Sequence, residues 1–226
     1  MPNADGEPMA VEVLCRIRLP DERLMSAGEF IELAESMGKV HQLDYVVMEK
    51  AFEAVQRSGY DGLLFINLSP RSILIDDFLR RIRTLTRTYA IHNERIVFEI
   101  TERDTVKSMA TLEKFVSCLK DSGFKFAIDD FGSGFSSFHY LKHLPIDFVK
   151  IEGEFIANMA NDSRDLAFVT SITRLAGELK VRTVAEFVES AEILEQVRAI
   201  GIDYAQGYHI GHPTLSLEEL VGDLRT

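Results

Sequence analysis

The sequence predicts an α/β fold in which parallel strands close into a TIM-like (β/α) barrel. An amphipathic helix, a glycine, a short apolar run and a polar residue recur in that order along the chain, and such alternating units build parallel sheets. Polar residues stand at the carboxyl end of nearly every predicted strand, which is where barrels place their sites. No glycine-rich dinucleotide-binding motif follows the first strand, which argues against an open, doubly wound sheet.

Three helix–glycine–strand units carry this pattern most clearly. Glycine suits the left-handed position after a helix, and short unbroken apolar runs are typical of buried parallel strands. The helices are predicted at Leu43–Arg57, Leu112–Lys120 and Ile193–Ala199, and the strands that follow them at Leu63–Ile66, Phe124–Ile128 and Ile202–Ala205.

Four further segments have the apolar character of strands: Val11–Arg16, Arg95–Ile100, Phe148–Ile151 and Thr183–Ala185. In the first of them, strand alternation places Glu12, Leu14 and Arg16 on one face. The total of seven strands is one fewer than a closed barrel has, so we expect a barrel that lacks an N-terminal helix and strand. We interpret residues 1–226 as one domain with a loose start at residues 1–8.

Composition narrows the classes of function. The 226 residues are 46% hydrophobic, and 25 Lys and Arg against 36 Asp and Glu give a net charge of −11. This charge argues against nonspecific binding of DNA or RNA, but a small phosphate-bearing ligand stays possible because bound cations can invert the local charge. No apolar run approaches the roughly 20 residues of a membrane helix. The two cysteines, Cys15 and Cys118, lack metal-binding spacing, which favours a reduced, cytoplasmic domain.

The polar residues at or near the predicted strand ends are mainly carboxylates. They are Glu12, Asn67, Glu99, Glu102, Asp129, Asp130, Lys150, Glu186, Glu189 and Gln206. Converging carboxylates repel one another and cost several kcal/mol per uncompensated buried charge, so they either bind protons or hold cations. Ligand sets made only of oxygen suit Mg²⁺ or Mn²⁺. Adjacent Asp129 and Asp130 can serve two ions about 3.5–4 Å apart, as in metal-dependent phosphodiester hydrolysis.

Other interpretations of these residues remain at this point. A single Asp or Glu at a strand end is commonly a helix cap or a surface charge. Lys150 at a barrel strand end also fits a Schiff-base lysine, although neighbouring carboxylates would keep its ammonium protonated. The string Asp130-Phe131-Gly132 resembles the metal motif of kinases, but the kinase glycine-rich and catalytic loops are missing. His209 and His212 fit surface or packing roles.

Several motifs together resemble the EAL-domain family of bacterial cyclic-di-GMP phosphodiesterases, over about residues 12–213. The Glu-Ala-Leu motif that gives the family its name is present as the variant Glu12-Val13-Leu14, followed by Cys15-Arg16. Asn67-Leu68-Ser69-Pro70, Glu99-Ile100-Thr101-Glu102 and Asp129-Asp130-Phe131-Gly132-Ser133-Gly134-Phe135-Ser136-Ser137 follow in family order. The later motifs are Lys150-Ile151-Glu152, Ala185-Glu186-Phe187-Val188-Glu189 and Gln206-Gly207-Tyr208.

This resemblance implies hydrolysis of cyclic di-GMP to linear 5′-pGpG with two Mg²⁺ or Mn²⁺ ions. It assigns metal binding to Glu12, Asn67, Glu99, Asp129 and Asp130, and catalysis to Lys150, Glu186 and Glu189. It assigns substrate binding to Leu14, Arg16, Gln206 and Pro213, and makes Glu102 the anchor of the Asp129–Ser137 loop. It also implies a homodimer through the region of that loop, and upstream sensory or cyclase domains in a full-length protein that can be membrane-attached.

The sequence departs from the family pattern at two positions near the site. Glu152 stands where the family has Asp, and one extra methylene shifts a carboxylate by about 1 Å. Phe187 replaces a glycine, so its ring must either face outward or fill part of the pocket. These departures favour the alternative function, a receptor that binds cyclic di-GMP without cleaving it.

Overall fold

Nine strands are present in the computed structural model, which describes residues 10–73, 75, 77–101, 109–132 and 141–219. In chain order they are β1 (Ala10–Val13), β2 (Arg16–Arg18), β3 (Leu24–Ser26), β4 (Leu63–Asn67), β5 (Ile96–Thr101), β6 (Lys125–Phe131), β7 (Phe148–Ile151), β8 (Arg182–Ala185) and β9 (Tyr204–Ala205).

Seven of these strands form one parallel sheet in the order β1-β4-β5-β6-β7-β8-β9. Each strand therefore pairs with the next sheet strand along the chain, as a right-handed series of β–α units requires. The sheet curls so far that its two edge strands meet through side chains: Gln206, just after β9, donates from Nε2 to Glu12 Oε2 of β1 at 2.7 Å. The predicted parallel sheet of seven strands is confirmed.

The first predicted strand is too long. It ends at Val13, whereas alternation through Arg16 was expected. Arg16 instead begins an antiparallel hairpin, in which it pairs with Ser26. Because the hairpin is a separate sheet, Leu14 and Arg16 do not continue the strand face that carries Glu12.

Helices connect most of the parallel strands. They are α1 (Ala27–Ser36), α2 (Val40–Ser58), α3 (Pro70–Ile73), α4 (Phe78–Thr88), α5 (Met109–Asp121), α6 (Gly153–Asn158), α7 (Ser163–Glu178) and α8 (Ala191–Ile200). The three predicted helices lie inside α2, α5 and α8, and are confirmed. Gly59 and Gly201 end α2 and α8 with φ of 65° and 85°, the left-handed conformation that glycine adopts at low cost. Within the described helices, none combines the length and hydrophobicity needed to cross a membrane.

The core has two parts, one on each face of the curled sheet. The larger part packs helix side chains such as Phe52, Ile82 and Val169 against the outer face of the strands. The smaller part fills the inside of the curl with one residue from each parallel strand. These residues are Ala10, Phe65, Val97, Ala127, Phe148, Val184 and Tyr204.

Candidate active site

A layer of polar side chains lies next to the inner apolar layer, towards the carboxyl ends of the strands. Each polar residue comes two positions after an apolar one, because side chains on the same face of a strand recur with period two. The same seven strands supply them, in two cases from the position just after the strand. The layer consists of Glu12, Asn67, Glu99, Asp129, Lys150, Glu186 and Gln206.

Lys150 lies at the centre of this layer and is fully buried. Its Nζ atom lies 2.9 Å from Asp129 Oδ1, 3.0 Å from Glu186 Oε1, 3.1 Å from Glu99 Oε1 and 3.3 Å from Glu12 Oε2. Carboxylates from four different strands therefore converge on one ammonium group, and the predicted convergence is confirmed for these residues.

One ammonium cannot satisfy four carboxylates, because it has only three N–H donors. Lys150 donates a hydrogen bond to Glu12 Oε2 at 3.3 Å. Among the residues that the structure describes, Glu99 Oε1 and Asp129 Oδ1 are buried and accept no hydrogen bond, although both touch Lys150 Nζ at ion-pair distance. Buried carboxylate oxygens without donors are costly, so the layer has capacity for further positive charge.

Burial and charge act in opposite directions on the titration of these groups. Burial alone would lower the pKa of Lys150, but the carboxylates around it, led by Glu99, raise that pKa well above its usual range. Burial raises the pKa of Glu99 well above its usual range, and Glu12 and Asp129 add to this increase while Lys150 opposes it. The lysine is therefore held in the charged form, whereas Glu99 resists ionisation.

Glu12 and Glu186 have different surroundings and shift in opposite directions. Burial works against ionisation of Glu12, but the charge of Lys150 and a hydrogen bond from Gln206 outweigh it, so its pKa is lowered. Burial raises the pKa of Glu186 to about 7, with Asp129 adding to the effect and Lys150 opposing it. Two carboxylates beside the same lysine thus differ in their proton affinity because their hydrogen-bond partners differ.

The two amides of the layer face Glu12 with their NH₂ groups. Asn67 Nδ2 donates to Glu12 Oε1 at 3.1 Å and to Glu99 Oε2 at 3.3 Å, and Gln206 Nε2 donates to Glu12 Oε2. If Asn67 binds a cation, its amide must turn over so that the carbonyl oxygen faces the carboxylates. Amide flips of this kind require only rotation about the last side-chain bond.

Asp130 joins the carboxylates through an irregularity in β6. Pairing of β6 with β7 shifts register between Ile128 and Phe131, and Asp130 has a φ of 52°. A regular strand would direct Asp129 and Asp130 to opposite faces, but the bulge overrides this alternation. One carboxylate oxygen each of Asp129, Asp130 and Glu186 lies within 4.8 Å of the others.

The donor chemistry of this layer fits hard divalent cations. All the candidate ligands offer oxygen, which Mg²⁺ and Mn²⁺ prefer, and two of the buried oxygens accept no hydrogen bond among the described residues. If all five carboxylates are ionised, as cation binding would require, they and the one lysine carry four formal negative charges, the charge that two divalent ions would balance. The carboxylates are Glu12, Glu99, Asp129, Asp130 and Glu186.

Behind Asn67, the buried Asp44 of α2 holds the turn that follows β4. Its Oδ2 accepts hydrogen bonds from Ser72 Oγ at 2.6 Å and from the backbone N–H of Ser69 at 3.1 Å. Burial raises the pKa of Asp44 to about 6, although the bond from Ser72 opposes the shift. Asp44 was not identified from the sequence as a buried residue that supports the site. Its position four residues before Met48, on the apolar face of the helix, could have indicated this.

Phe187 follows Glu186 and faces outward, which decides between the two orientations expected for its ring. It is 59% exposed, and its φ of 51° is in the left-handed region that favours glycine. Its ring packs so closely on Gly153 that a β-carbon built at Gly153 would lie 1.6 Å from the ring atom Cδ2. Sequence reasoning singled out Phe187 but missed Gly153, its contact.

The remaining predicted site residues lie outside this cluster. Leu14, Arg16, Glu189 and Pro213 are exposed. Arg16 donates to the backbone carbonyl of Cys15. Glu102, and residues 133–137 of the predicted loop, are outside the described residues.

Comparison with known proteins identifies relatives along nearly the whole chain. The EAL domain family matches residues 1–213. The cyclic di-GMP phosphodiesterase PdeB of Shewanella oneidensis is 38% identical over 213 residues, which cover 93% of this chain and 25% of PdeB. The cyclic di-GMP phosphodiesterase PdeF of Escherichia coli is 36% identical over 212 residues, which cover 92% of this chain and 28% of PdeF. The chain spans about a quarter of the length of these relatives.

A solved structure has the same fold. It is that of the MucR phosphodiesterase of Pseudomonas aeruginosa in a cyclic di-GMP complex. It superimposes with a TM-score of 0.88 and 30% identity, covering 97% of this chain and 90% of the other. The predicted TIM-like barrel fold is confirmed.

Proposed function

Because this chain belongs to the EAL domain family, we propose that it is a metal-dependent phosphodiesterase that hydrolyses cyclic di-GMP to linear 5′-pGpG. The observation that carries this proposal is the buried cluster of four carboxylates around Lys150. Relatives named as cyclic di-GMP phosphodiesterases and a neighbouring structure in complex with cyclic di-GMP support the choice of substrate.

The residues that hold the ions divide into two sets. Glu12, Asn67, Glu99 and Asp129 form the first set, with Asn67 contributing its carbonyl oxygen after the amide turns over. Asp129 and Asp130 form the second, with Glu186 within reach of both. Bound divalent ions neutralise charge on the phosphate and lower the pKa of water, which makes a nucleophile available at neutral pH.

The chain's own groups position the reactants. The Lys150 ammonium, fixed among carboxylates, stabilises negative charge on the phosphate oxygens. Glu186 orients the attacking water and accepts its proton. The water oxygen bonds to phosphorus, the bond from phosphorus to the 3′ oxygen breaks, and the 3′ oxygen takes up a proton. One such step opens the cyclic dinucleotide and yields 5′-pGpG.

The exposed residues around the cluster contact the rest of the nucleotide in this proposal. Arg16 binds a phosphate, Leu14 and Pro213 contact the nucleotide, and Glu189 completes the polar surroundings together with Gln206 of the layer. Pairing of two copies through the region of the Asp129–Ser137 loop, the loop-anchor role of Glu102 and the presence of upstream sensory or cyclase domains remain predictions.

A receptor that binds cyclic di-GMP without hydrolysis is the second candidate. Phe187 favours it, because a bulky residue in a glycine-like conformation directly follows Glu186. Glu152 favours it as well, since its longer side chain stands where the family pattern has Asp. The carboxylate cluster favours hydrolysis, because a receptor has no need of buried carboxylates without hydrogen-bond donors.

The test is chromatography of cyclic di-GMP incubated with this chain and Mg²⁺ or Mn²⁺, with a parallel reaction in EDTA. We expect 5′-pGpG to form only in the reactions that contain metal. Binding of cyclic di-GMP without product would overturn hydrolysis and establish the receptor. The absence of both product and binding would refute both candidates.

A further inference from the structure

Phe187 is an exposed aromatic side chain whose backbone is fixed at the rim of the site. The preceding residue, Glu186, contacts Lys150, and the following residue, Val188, donates from its backbone N–H to Gln206 at 2.9 Å. The carbonyl of Val188 also accepts from the backbone N–H of His209 at 3.0 Å. The segment around Phe187 is therefore held on both sides, which maintains the unfavourable φ of 51°.

The ring itself is held by Gly153. Ring atoms Cδ2 and Cε2 lie 1.6 and 2.4 Å from the point where a β-carbon at Gly153 would be, so every other residue at position 153 would displace the ring. One side of the ring thus rests on backbone, while Phe187 as a whole stays 59% exposed. An aromatic side chain fixed in this way loses little conformational freedom when a ligand stacks on its open side.

This fixed ring lies at the same end of the barrel as the carboxylates. Gly153 comes two residues after β7, and Phe187 comes two residues after β8. Gly153 is only three residues beyond Lys150, so the two α-carbons lie no more than roughly 10 Å apart, the length of three residues of extended chain. When a phosphate of the dinucleotide lies at the carboxylate cluster, the base joined to it through the ribose can extend over this distance to the ring of Phe187.

We propose that Phe187 is a stacking platform for a purine base of the dinucleotide, fixed in place by its contact with Gly153. This inference rests on the proposed function for the identity of the ligand. The physical basis is that every base has an apolar π-face, so a fixed phenyl ring binds it without hydrogen bonds. Stacking of one base on an aromatic side chain changes affinity by about 5- to 150-fold.

The first test compares Phe187→Leu, Phe187→Gly and Phe187→Trp in steady-state hydrolysis of cyclic di-GMP. We expect Leu and Gly to raise KM by about 5- to 150-fold with a much smaller effect on kcat, and Trp to keep KM at or below the wild-type value. An unchanged KM in the Leu and Gly variants would overturn the proposal. A loss confined to kcat would also overturn it, because that result would mean that Phe187 acts only by positioning Glu186.

The second test is a double-mutant cycle with Gly153→Ala. The added β-carbon should displace the ring and raise KM as Phe187→Gly does, but should have no further effect in the Phe187→Gly background. Additive effects would show that Gly153 does not act through Phe187, and would contradict the proposal. Thermal unfolding of every variant separates misfolding from a change in ligand affinity.

Failure of the stacking proposal can be distinguished from failure of the proposed hydrolysis. If the wild-type chain binds cyclic di-GMP without hydrolysing it, Kd from calorimetry replaces KM in the same comparisons. A Kd that rises in the Leu and Gly variants then supports the platform even though hydrolysis has failed. A Kd that is equal in all variants overturns the platform, and no binding by the wild-type chain overturns both proposals.

Discussion

At the scale of single residues, Lys150 controls the charge of the site. Its ammonium is the buried positive charge that touches four carboxylates, and Coulombic attraction in such a setting is much stronger than in water. The same residue therefore has two consequences: it compensates the carboxylates in the folded chain, and in the proposed mechanism it stabilises negative charge on a phosphate. The first consequence can be tested without substrate.

We expect Lys150→Met to lower the free energy of unfolding by about 3–5 kcal/mol in EDTA, because it leaves buried carboxylates uncompensated. The loss should be smaller with Mg²⁺, which supplies the missing charge. Chemical denaturation in both buffers measures these differences. The exposed Lys142→Met is the matched control and should change stability by less than about 0.5 kcal/mol. Equal stability of wild type and Lys150→Met in EDTA would contradict this account.

Most of the cluster could be predicted from the sequence, because each member stands at or near a strand end and follows an apolar residue by two positions. The conformation of Asp130 could not, since it depends on a bulge that sequence periodicity does not show. The packing of Phe187 on Gly153 could not be predicted either. These residues are 34 positions apart and follow two different strands, and only the assembled barrel brings them together.

At the scale of secondary-structure elements, α2 and the loop after β9 hold the backbone next to residues of the cluster. Asp44 of α2 fixes the turn that follows Asn67, and Gly207 allows the loop after Gln206 to lie against Val188. Both contacts act on the backbone beside a cluster residue, so both can be altered without changing the cluster itself.

Asp44→Asn should change how stability depends on pH. The folded pKa of about 6 exceeds the ordinary value near 3.9, so the folded state binds the proton more tightly. Ionisation of Asp44 therefore costs stability progressively as pH rises from about 4 to about 6, and the cost persists above that range. We expect Asp44→Asn to be more stable than wild type by about 1–3 kcal/mol at pH 8, and equally stable at pH 4.

Denaturation of both proteins across this pH range provides the measurement. The same substitution at the exposed Asp61, Asp61→Asn, is the control. A constant difference between wild type and Asp44→Asn from pH 4 to pH 8 would show that Asp44 does not titrate in this range.

Gly207→Ala should be destabilising by about 1–3 kcal/mol, the range found for overpacked sites. A β-carbon there would lie 2.3 Å from both the backbone nitrogen and the backbone oxygen of Val188, so the loop must move. That movement should weaken the hydrogen bond from Gln206 to Glu12 and lower activity. Gly211→Ala is the matched control because nothing lies within 4 Å of its β-carbon. Similar melting temperatures and rates for both alanine variants would be inconsistent with this role.

At the scale of the whole molecule, the curled sheet explains how residues 194 positions apart, Glu12 and Gln206, form one site. The repeated helix–glycine–strand pattern was sufficient to predict the parallel sheet. The end of β1 was predicted wrongly because Leu14, Cys15 and Arg16 keep an alternating pattern, while pairing of Arg16 with Ser26 depends on a hairpin partner further along the chain.

The charge of the assembled cluster predicts two divalent ions per chain. We expect calorimetric titration with Mn²⁺ to give a stoichiometry of two for wild type and one for Asp130→Asn, since the proposed second set of ligands includes Asp130. Ion concentrations 100-fold above Kd should stabilise the fold by about 2.7 kcal/mol per site. A stoichiometry of zero or one for the wild-type chain would refute the two-ion assignment.

The central claim is that the carboxylate cluster hydrolyses cyclic di-GMP, and the most direct test is the initial rate of 5′-pGpG formation by wild type and Glu12→Gln with saturating Mn²⁺. Both proteins are compared at equal concentrations of folded chain, checked by circular dichroism. Glu12 accepts hydrogen bonds from Asn67, Lys150 and Gln206 and is assigned to the first ion. We predict turnover by wild type and a loss of at least about 100-fold in the variant. Equal rates, or no product from wild type, would contradict the account.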